Sequence, residues 1–377
     1  FSYEQEYDMI TKTAFQTFGF IGLGLIGGSI ARAIREKLPL SRILVFDADQ
    51  NTMELALTSG VASETTDSVN EAFAKCDCVF LCAPVSDNAR NLALLKELTS
   101  DTCLITDVGS VKTHIHKQVE ELQLRNRFIG GHPMAGSERV GFINSKSLLL
   151  QNAYYILTPC SGVPEETVSA FRSLIESIGS VPLLMDYRKH DFITGAVSHL
   201  PHVISASLVN LIKKEDTPDE LMKTIAAGGF KDITRISSSS PVMWQQICLT
   251  NRENILVLLD HYITALQNIR KLIDDSTEQE IFDFFKEARD YRDSFVNTSS
   301  GPIKKTYAIH VEIADQPGAL ASVAMLLAEN SISIKNIGIT HNRERTDGAL
   351  RIEVYQEESL RQAEELLQKN GYLTHLP

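Results

Sequence analysis

The stretch Thr17-Phe-Gly-Phe-Ile-Gly-Leu-Gly-Leu-Ile-Gly-Gly-Ser29 predicts a short strand, a tight glycine turn and the start of a helix. Gly22 permits the turn, Gly24 lets the backbone approach a pyrophosphate, and Gly27 lets the helix pack closely on the strand. Leu25 and Ile26 begin that helix, whose free N–H groups and macrodipole favour a negatively charged group at this end. The stretch therefore predicts a dinucleotide site, in which all five of these residues are candidate contacts.

An acidic residue stands where such a site needs one for its ribose. The apolar run Arg42–Phe46 ends in Asp47, about twenty residues beyond the third glycine of the turn. A carboxylate there can accept hydrogen bonds from both ribose hydroxyls and repels a 2′-phosphate. The following residue, Ala48, offers no cation to offset that repulsion. The predicted cofactor is therefore NAD rather than NADP.

The first half of the chain alternates short apolar runs with helical stretches, which is typical of a doubly wound, parallel α/β sheet of the Rossmann type. The predicted strands lie at residues 18–21, 43–46, 78–82, 103–106, 128–131 and 154–158. Ligands bind such sheets at the carboxyl ends of the strands. Three polar clusters follow predicted strands and should share one cleft with the glycine turn: Ala83-Pro84, Asp107-Val-Gly-Ser-Val-Lys112 and Gly131-His-Pro-Met-Ala-Gly-Ser-Glu138. We assign residues 17–186 to this domain, after an N-terminal tail at residues 1–16.

The remainder of the chain predicts two further domains. Residues 187–297 are helical, and their apolar positions, such as Ile263 and Leu266, exceed what a small domain buries, so we expect a homodimer through this region. Residues 298–305 form a linker rich in turn-forming residues. Residues 306–377 follow the order βαββαβ, which predicts a ferredoxin-like α+β sandwich.

Composition excludes several classes of function. The net charge of -12 argues against binding to nucleic acid or to an anionic membrane. No apolar run approaches the roughly twenty residues that span a bilayer, and no export signal is evident, so we expect a cytoplasmic protein. The cysteines have the spacing of neither a zinc site nor a disulfide framework, so no metal is expected.

Candidate catalytic side chains fall in three motifs. They are His132 at a strand end, His199 and His202 on either side of a helix proline, and Asp232 and Arg235 after a pair of glycines. Each has a plain structural alternative, since a lone histidine is more often a packing or surface residue and an Asp/Arg pair is often an exposed helix pair. Likewise, Ser110 and Lys112 are compatible with helix capping, and His116 with a solvated helix face. From the residues alone, the prediction stops at an NAD-dependent dehydrogenase of unknown substrate.

Taken together, these motifs closely resemble those of the prephenate dehydrogenase family. They occur in the family's order between about residues 17 and 297: Gly22-Leu-Gly-Leu-Ile-Gly-Gly-Ser29, Asp107-Val-Gly-Ser-Val-Lys112, Gly131-His-Pro-Met-Ala-Gly-Ser-Glu138, Ser198-His-Leu-Pro-His202 and Gly229-Phe-Lys-Asp-Ile-Thr-Arg235. Of these, only the glycine turn is widely shared with other families. The resemblance implies oxidative decarboxylation of prephenate to 4-hydroxyphenylpyruvate, with NAD as hydride acceptor, on the route to tyrosine.

The resemblance also implies roles for individual residues. His132 would accept the proton of the ring C4 hydroxyl, and Ser110 would hydrogen-bond both that hydroxyl and the histidine, holding its tautomer. Arg235 would bind a substrate carboxylate through its planar guanidinium, with Asp232 orienting it or gating the entrance. The remaining polar wall would be formed by Glu138, His199 and His202.

The C-terminal unit resembles an ACT domain, a small regulatory module often specific for amino acids, through Asp315-Gln-Pro-Gly-Ala-Leu320. The resemblance makes Asp315, Gly318, Ala319 and Asn336 the candidate regulatory contacts. Gly318 would let the backbone approach a ligand, and Asn336 would cap its amino-acid group. The expected effector is tyrosine, acting by feedback inhibition. An inert oligomerisation module is the alternative.

Three other functions remain open at this point. Arogenate dehydrogenase differs only by an amine in place of the ketone of the substrate side chain, and no residue decides between the two. A hydroxy-acid dehydrogenase of similar build would normally use a catalytic lysine in the helical domain rather than His132. A regulator that senses NAD and an amino acid without catalysis is disfavoured by the intact His132 and Arg235 motifs.

Overall fold

The computed structural model describes residues 14–137, 139–297, 307–313, 316–340 and 348–375. The predicted tail up to residue 13, the predicted linker at 298–305, and two candidate site residues, Glu138 and Asp315, lie outside these ranges. The chain divides into two compact units, and the boundary falls between Arg270 and Lys271.

The first unit is built on an eight-stranded sheet. Its strands are β1 (Thr17–Ile21), β2 (Arg42–Phe46), β3 (Glu64–Thr65), β4 (Cys78–Leu81), β5 (Leu104–Asp107), β6 (Phe128–Pro133), β7 (Tyr154–Pro159) and β8 (Val181–Leu184). The helices between them are α1 (Leu25–Lys37), α2 (Gln50–Thr58), α3 (Asn88–Leu98), α4 (Thr113–Glu121) and α5 (Glu165–Ser177). The strand order, β3-β2-β1-β4-β5-β6-β7-β8, begins with the sequence of strands found in dinucleotide-binding sheets. The predicted Rossmann-type domain is therefore confirmed.

Two strands, β7 and β8, run opposite to the other six and so depart from the predicted all-parallel sheet. β7 pairs with β6 in the antiparallel sense, with His132 opposite Ile156. In the described part of the connection between them, the helical elements are the short 3₁₀ turns Phe142–Asn144 and Ser147–Leu150. A return to a parallel neighbour normally needs a crossover helix. The prediction of a wholly parallel sheet was wrong at this pair because the described residues between β6 and β7 form no such helix.

Apolar side chains cover both faces of the sheet and so hold the ends of its strands in place. On one face Phe20 and Phe80 stack with ring centroids 4.9 Å apart and belong to the same apolar cluster as Ile30 of α1. On the other face Val79 and Ile105 belong to a cluster that includes α3 and α4 side chains. Because the strands of a sheet buried on both sides are rigid, the side chains at their carboxyl ends are fixed in position.

A helical region follows β8, as predicted, and no strand occurs between Tyr187 and Asn297 in the described chain. Its elements are α6 (Tyr187–Thr194), a π-helical turn (Gly195–His199), α7 (Leu200–Glu215), α8 (Leu221–Ile225), α9 (Gly228–Thr234), a 3₁₀ turn (Arg235–Ser238), α10 (Pro241–Thr250), α11 (Arg252–Asp274) and α12 (Glu278–Asn297).

The continuous helix from Tyr187 to Glu215 is long and apolar enough to cross a membrane by length and composition alone. The sequence expectation that no such segment exists was therefore wrong on that criterion. The first part of this helix buries His190, Asp191 and His199, and each is hydrogen-bonded to protein groups. We interpret this first part as packed protein interior, because buried polar side chains with protein partners are the pattern found there.

The C-terminal unit contains a four-stranded antiparallel sheet. Its elements are β9 (Tyr307–Ile313), α13 (Ala319–Glu329), β10 (Ile334–Thr340), β11 (Gly348–Val354), α14 (Glu357–Lys369) and β12 (Thr374–His375). The strand order is β10-β11-β9-β12, and the chain order is the predicted βαββαβ. Ile309, Val311 and Ile352 pack with Val323 and Leu367 from the two helices.

Candidate active site

The glycine turn has the geometry that the sequence predicts. Gly22 has a φ of 85°, and a Cβ on it would lie 2.6 Å from the backbone nitrogen of Ala83. A Cβ on Gly27 would lie 2.9 Å from both the Gly22 carbonyl oxygen and the Cys82 Cβ. Both positions therefore require glycine, the first for its conformation and the second for the close packing of α1 on β4.

The N-terminus of α1 suits an anion. Gly24 is the N-cap residue, no side chain caps it, and no acidic residue lies in the first turn, where Leu25 and Ile26 are half-buried. A Cβ on Gly24 would meet no atom within 4 Å, so there is space for a group to approach the backbone. Free N–H groups at the positive end of a helix bind phosphate groups well. These residues fit the pyrophosphate of a dinucleotide.

Asp47 lies beside this turn. Its Oδ2 accepts a hydrogen bond from the backbone N–H of Leu23 at 2.6 Å, and its Oδ1 accepts one from Asp49 at 2.9 Å. Ala83 and Pro84 follow β4 on the other side of the turn, Ala83 half-buried and Pro84 exposed. The structure therefore brings together the glycine turn, the predicted ribose residue and the end of β4.

A buried ion pair joins the ends of β5 and β6. The Lys112 ammonium contacts the Asp107 carboxylate and donates to the Gly131 carbonyl oxygen at 2.6 Å. Asp107 also accepts hydrogen bonds from the N–H groups of Gly109 at 2.9 Å and Gly131 at 3.2 Å. Burial lowers the pKa of Lys112, and Asp107 partly offsets that effect. The pair fixes the strand end that carries His132.

His132 is connected to a second histidine and a carboxylate. Its Nδ1 lies 2.8 Å from His190 Nε2, and His190 Nδ1 lies 2.7 Å from Asp191 Oδ1. A carboxylate only accepts, so His190 donates from Nδ1, and its Nε2, when the ring is neutral, accepts from His132 Nδ1–H. By this hydrogen-bond logic His132 keeps an unprotonated Nε2. That nitrogen is the one that a base would use.

Asp191 is held firmly at the start of α4. Its Oδ1 accepts from the Lys112 N–H at 2.8 Å, and its Oδ2 accepts from the Thr113 N–H at 2.7 Å. Asn251 donates to the Asp191 carbonyl oxygen at 2.8 Å and also lies 3.0 Å from His199 Nδ1. Burial alone would raise the pKa of Asp191, but the hydrogen bonds from His190, Thr113 and Lys112 lower it overall. Asp191 therefore remains a carboxylate.

Three histidines of the site, His132, His199 and His202, are held in their neutral form. Burial lowers the pKa of His132 well below its ordinary value, and His190, Lys112 and His199 act in the same direction. Burial also lowers the pKa of His199 to about 4. The pKa of His202 is lowered mainly by burial, with the nearby Arg235 contributing. Neutral imidazoles can accept a proton, which a base requires.

His202 and Arg235 lie on the helical side of the site. His202 stacks on Trp244 with ring centroids 3.8 Å apart, and its Nδ1 lies 2.9 Å from the Ser198 carbonyl oxygen. The turn that carries Arg235 is anchored to α7, because the Ser205 hydroxyl donates to the Ile233 carbonyl oxygen at 3.0 Å. Arg235 and Asp232 are both exposed.

Two sequence expectations need correction. Ser110 is half-buried in the turn after β5, but within the described residues its side chain makes no hydrogen bond to His132, whose Nδ1 faces His190. The partner that fixes the tautomer is therefore His190 rather than Ser110. His116, expected on a solvated face, is buried against Tyr187, with ring centroids 4.3 Å apart. Burial lowers its pKa to about 4.

Sequence reasoning missed four residues of the site. They are His190, Asp191, Asn251 and the buried Lys112 in its ion-pair role. The available signal was weak: a His-Asp pair opens the long helix, and Lys112 follows β5 at the same edge as His132. Among the described residues no cluster of His, Cys, Asp and Glu could hold a metal ion.

In the C-terminal unit, Gly318 has a φ of 90° and immediately precedes α13, whose first residue is Ala319. A Cβ on Gly318 would meet nothing within 4 Å, so the backbone is open to a ligand there. Asn336 is exposed on β10 beside an irregularity in the pairing with β11. The fourth candidate contact, Asp315, is outside the described residues.

Comparison with known proteins connects this geometry to a family. Residues 30–184 match the model of the prephenate dehydrogenase nucleotide-binding domain, and residues 186–287 match that of its dimerization domain. Prephenate dehydrogenase of Bacillus subtilis (strain 168) is 37% identical over 92% of this chain and 94% of its own length.

Solved structures agree with this match. Prephenate dehydrogenase from Aquifex aeolicus, crystallised with hydroxyphenyl propionate and NAD+, superposes with a TM-score of 0.70 at 32% identity, covering 74% of this chain and 98% of that one. Arogenate dehydrogenase from Synechocystis superposes with a TM-score of 0.68 at 29% identity, covering 74% and 99%. From the two domain models and the identity along most of its length, the chain belongs to the prephenate dehydrogenase family of oxidoreductases.

Proposed function

We propose that the chain catalyses the oxidative decarboxylation of prephenate to 4-hydroxyphenylpyruvate with transfer of a hydride to NAD. The observation that carries the proposal is the placement of His132. It is buried at the same sheet edge as the glycine turn, and its hydrogen bond to His190 leaves Nε2 unprotonated. Family membership and the Bacillus subtilis relative support the same reaction.

The cofactor is NAD, which supplies the hydride acceptor when bound. Gly22, Gly24 and Gly27, with Leu25 and Ile26, would hold its pyrophosphate, and Asp47 would hold the adenosine ribose. The Aquifex aeolicus relative was crystallised with NAD+. Ala83 and Pro84 would line the path of the cofactor past the end of β4.

His132 takes the proton of the ring C4 hydroxyl at its Nε2, and Ser110 at the neighbouring strand end hydrogen-bonds that hydroxyl. A base placed in this way contributes roughly 10²–10⁴ in rate. As the ring carbonyl forms, the ring carboxylate leaves as carbon dioxide, so the protein needs no separate acid.

The helical side of the site binds the anionic groups of the substrate. Arg235 pairs with a substrate carboxylate, since the planar guanidinium matches a carboxylate with two parallel hydrogen bonds. Asp232 orients that guanidinium or gates the entrance. His199, His202 and Glu138 complete the polar wall.

The rest of the proposal concerns assembly and regulation. The chain forms a homodimer through residues 187–297, matching the dimerization domain of the family. The domains are the nucleotide-binding domain at 17–186, this helical domain, and an ACT domain at 306–377. The ACT domain binds tyrosine through the region of Gly318, Ala319 and Asn336, with Asp315, and so inhibits the enzyme. We place the reaction in the cytoplasm.

Arogenate is the second candidate substrate, because the Synechocystis arogenate dehydrogenase has nearly the same similarity in structure as the Aquifex aeolicus enzyme. One experiment separates the candidates: formation of NADH from prephenate, arogenate or a hydroxy acid, each with and without tyrosine. We expect activity with prephenate that tyrosine inhibits. Activity with arogenate or a hydroxy acid alone would contradict the proposed substrate. Deletion of residues 301–377 should leave activity and abolish inhibition, and inhibition that persists would place the sensor elsewhere.

A further inference from the structure

The proposed reaction releases a proton into a buried part of the protein. His132 and His190 are 9% and 0% exposed, respectively. A charge formed in such surroundings is costly unless a partner compensates it. The positive charge formed in the reaction must therefore be stabilised by a group in the hydrogen-bond network around His132.

His132 itself is a poor place for that charge. Among the described residues, the groups whose charge lowers the pKa of His132 are His190, Lys112 and His199, and none of these three is an anion. Within the described chain, no carboxylate hydrogen-bonds its ring; the hydrogen bond that the ring does make goes to His190 Nε2. A cation on His132 would add to the positive charge of the buried Lys112.

His190 is in the opposite situation. Its Nδ1 donates to Asp191 Oδ1 at 2.7 Å, and neither side chain is exposed. Asp191 cannot turn away, because two backbone N–H groups at the start of α4, those of Lys112 and Thr113, also donate to its carboxylate. His132 and His199 are two further titratable groups that interact with His190. A cation on His190 would form a charge-assisted hydrogen bond to an anion already in place.

We propose that His190 holds the proton that His132 accepts from the substrate, so that the charge formed in the reaction ends beside Asp191. The O–H bond of the substrate breaks as the Nε2–H bond of His132 forms. At the same time the Nδ1–H bond of His132 breaks as the Nε2–H bond of His190 forms. The hydride leaves as in the proposed function, on which this inference rests, and no further oxidant is needed. His190 and Asp191 are thus positioning residues that act through His132.

The site of protonation can be measured without substrate. Long-range ¹H–¹⁵N correlation spectra of the full chain, labelled at its histidines, report the protonation of each ring nitrogen as the pH is lowered. His132→Asn and His190→Gln assign the signals. We expect His132 as the Nδ1–H tautomer at high pH and His190 as the ring that becomes the imidazolium. Once His190 is protonated, His132 should carry its proton on Nε2. An imidazolium on His132, or a His132 that already carries its proton on Nε2 at high pH, would overturn the relay.

His190→Gln tests the same idea in catalysis. The glutamine amide can accept from His132 Nδ1–H and donate to Asp191, so it preserves the tautomer but cannot take the proton. We expect kcat to fall about tenfold or more and the acid limb of its pH profile to move to lower pH, with KM for prephenate retained. A wild-type kcat and an unmoved limb would contradict the relay.

The matched control is His116→Gln, another buried histidine, whose Nε2 lies 2.9 Å from the Thr158 hydroxyl away from the relay. It should leave the acid limb in place. If His190→Gln does not fold, His132→Asn still assigns the His132 signals, which show whether His132 becomes the imidazolium or carries its proton on Nε2 at high pH. Absence of prephenate oxidation in the wild type would refute the proposed function, whereas the spectra alone confirm or refute the relay.

Discussion

The sheet half and the helical half of the first unit bury their side chains very differently. In the sheet half Phe18, Phe20 and Phe80 are fully buried. In the helical half Leu266 of α11 is 48% exposed, and Ile263 is 43% exposed. Apolar exposure on this scale marks an interaction surface, and the matching family domain is a dimerization domain.

The polar residues of the site follow the same division. Asp107, Lys112 and His132 are buried and fixed by protein hydrogen bonds, whereas Asp232 and Arg235 are exposed. The sheet half is thus fixed within one chain, and our proposal places the base there. The proposal assigns association and the binding of the substrate carboxylate to the helical half. Loss of a sheet-half residue should therefore change turnover, and loss of a helical-half residue should change binding.

The largest effect is expected in the buried half. His132→Asn removes the base but keeps a small polar side chain, so kcat should fall by about 10²–10⁴. NAD affinity, measured by fluorescence titration, should stay near that of the wild type, because the glycine turn is untouched. A variant that turns over as the wild type does would remove His132 from the chemistry.

Assembly should be the next most sensitive property. Leu266→Asp would place an unpaired charge in the expected dimer contact, a cost of about 3 kcal/mol or more, or roughly a hundredfold in the dimer dissociation constant. Sedimentation over a range of concentrations measures it. Gln267→Asp adds the same charge at the neighbouring position and is the control. A wild-type chain that sediments as a monomer at micromolar concentration would make the exposed face unrelated to dimerisation.

Substrate binding should respond to the exposed arginine. Arg235→Gln removes a charged hydrogen-bond donor, which costs about 1.5–3 kcal/mol and corresponds to a rise in KM for prephenate of roughly ten- to a hundredfold. The neighbouring exposed Lys231→Gln should leave KM unchanged. A fall in kcat with an unaltered KM would contradict a binding role for Arg235. It would also contradict the expectation that the helical half affects binding rather than turnover.

The smallest effect concerns stability at low pH. The pKa of His199 is about 4 in the folded chain, below its ordinary value of 6.5. The unfolded chain therefore binds a proton first as the pH falls below 6.5, so the free energy of unfolding decreases from there down to about pH 4. The decrease is at most about 1.4 kcal/mol per pH unit. Urea denaturation at pH 7 and pH 5 measures it, and His199→Gln should reduce the difference. If the free energy of unfolding fell by the same amount between pH 7 and pH 5 in the wild type and in His199→Gln, His199 would not titrate in this way.

Local patterns were enough to predict the cofactor half of the site. The glycine spacing and the distance to Asp47 can be read directly along the sequence, and the parallel pairing of the strands up to β6 follows from alternating strands and helices. The contact between His132 and His190 joins residues 58 positions apart, and no sequence period indicates it. The same holds for His116, which becomes buried because α4 packs against Tyr187. The antiparallel pairing of β7 with β6 was also missed, because it depends on the long connection between them, whose described residues form no crossover helix, and no local sequence pattern indicated this.

The π-helical turn Gly195–His199 sets how the two halves are aligned along one helix. Thr194 and His199 are both buried although they are five residues apart, whereas residues three or four apart share a face of a regular α-helix. Deleting one residue here would restore α-helical geometry and rotate the following helix by about 100°. Ser205 would then lose its hydrogen bond to the Ile233 carbonyl oxygen, and the turn that carries Arg235 would lose its anchor to α7. His190, which precedes the deletion, would stay in place. Val197, 66% exposed, can therefore accept many side chains, but the number of residues in this turn cannot change.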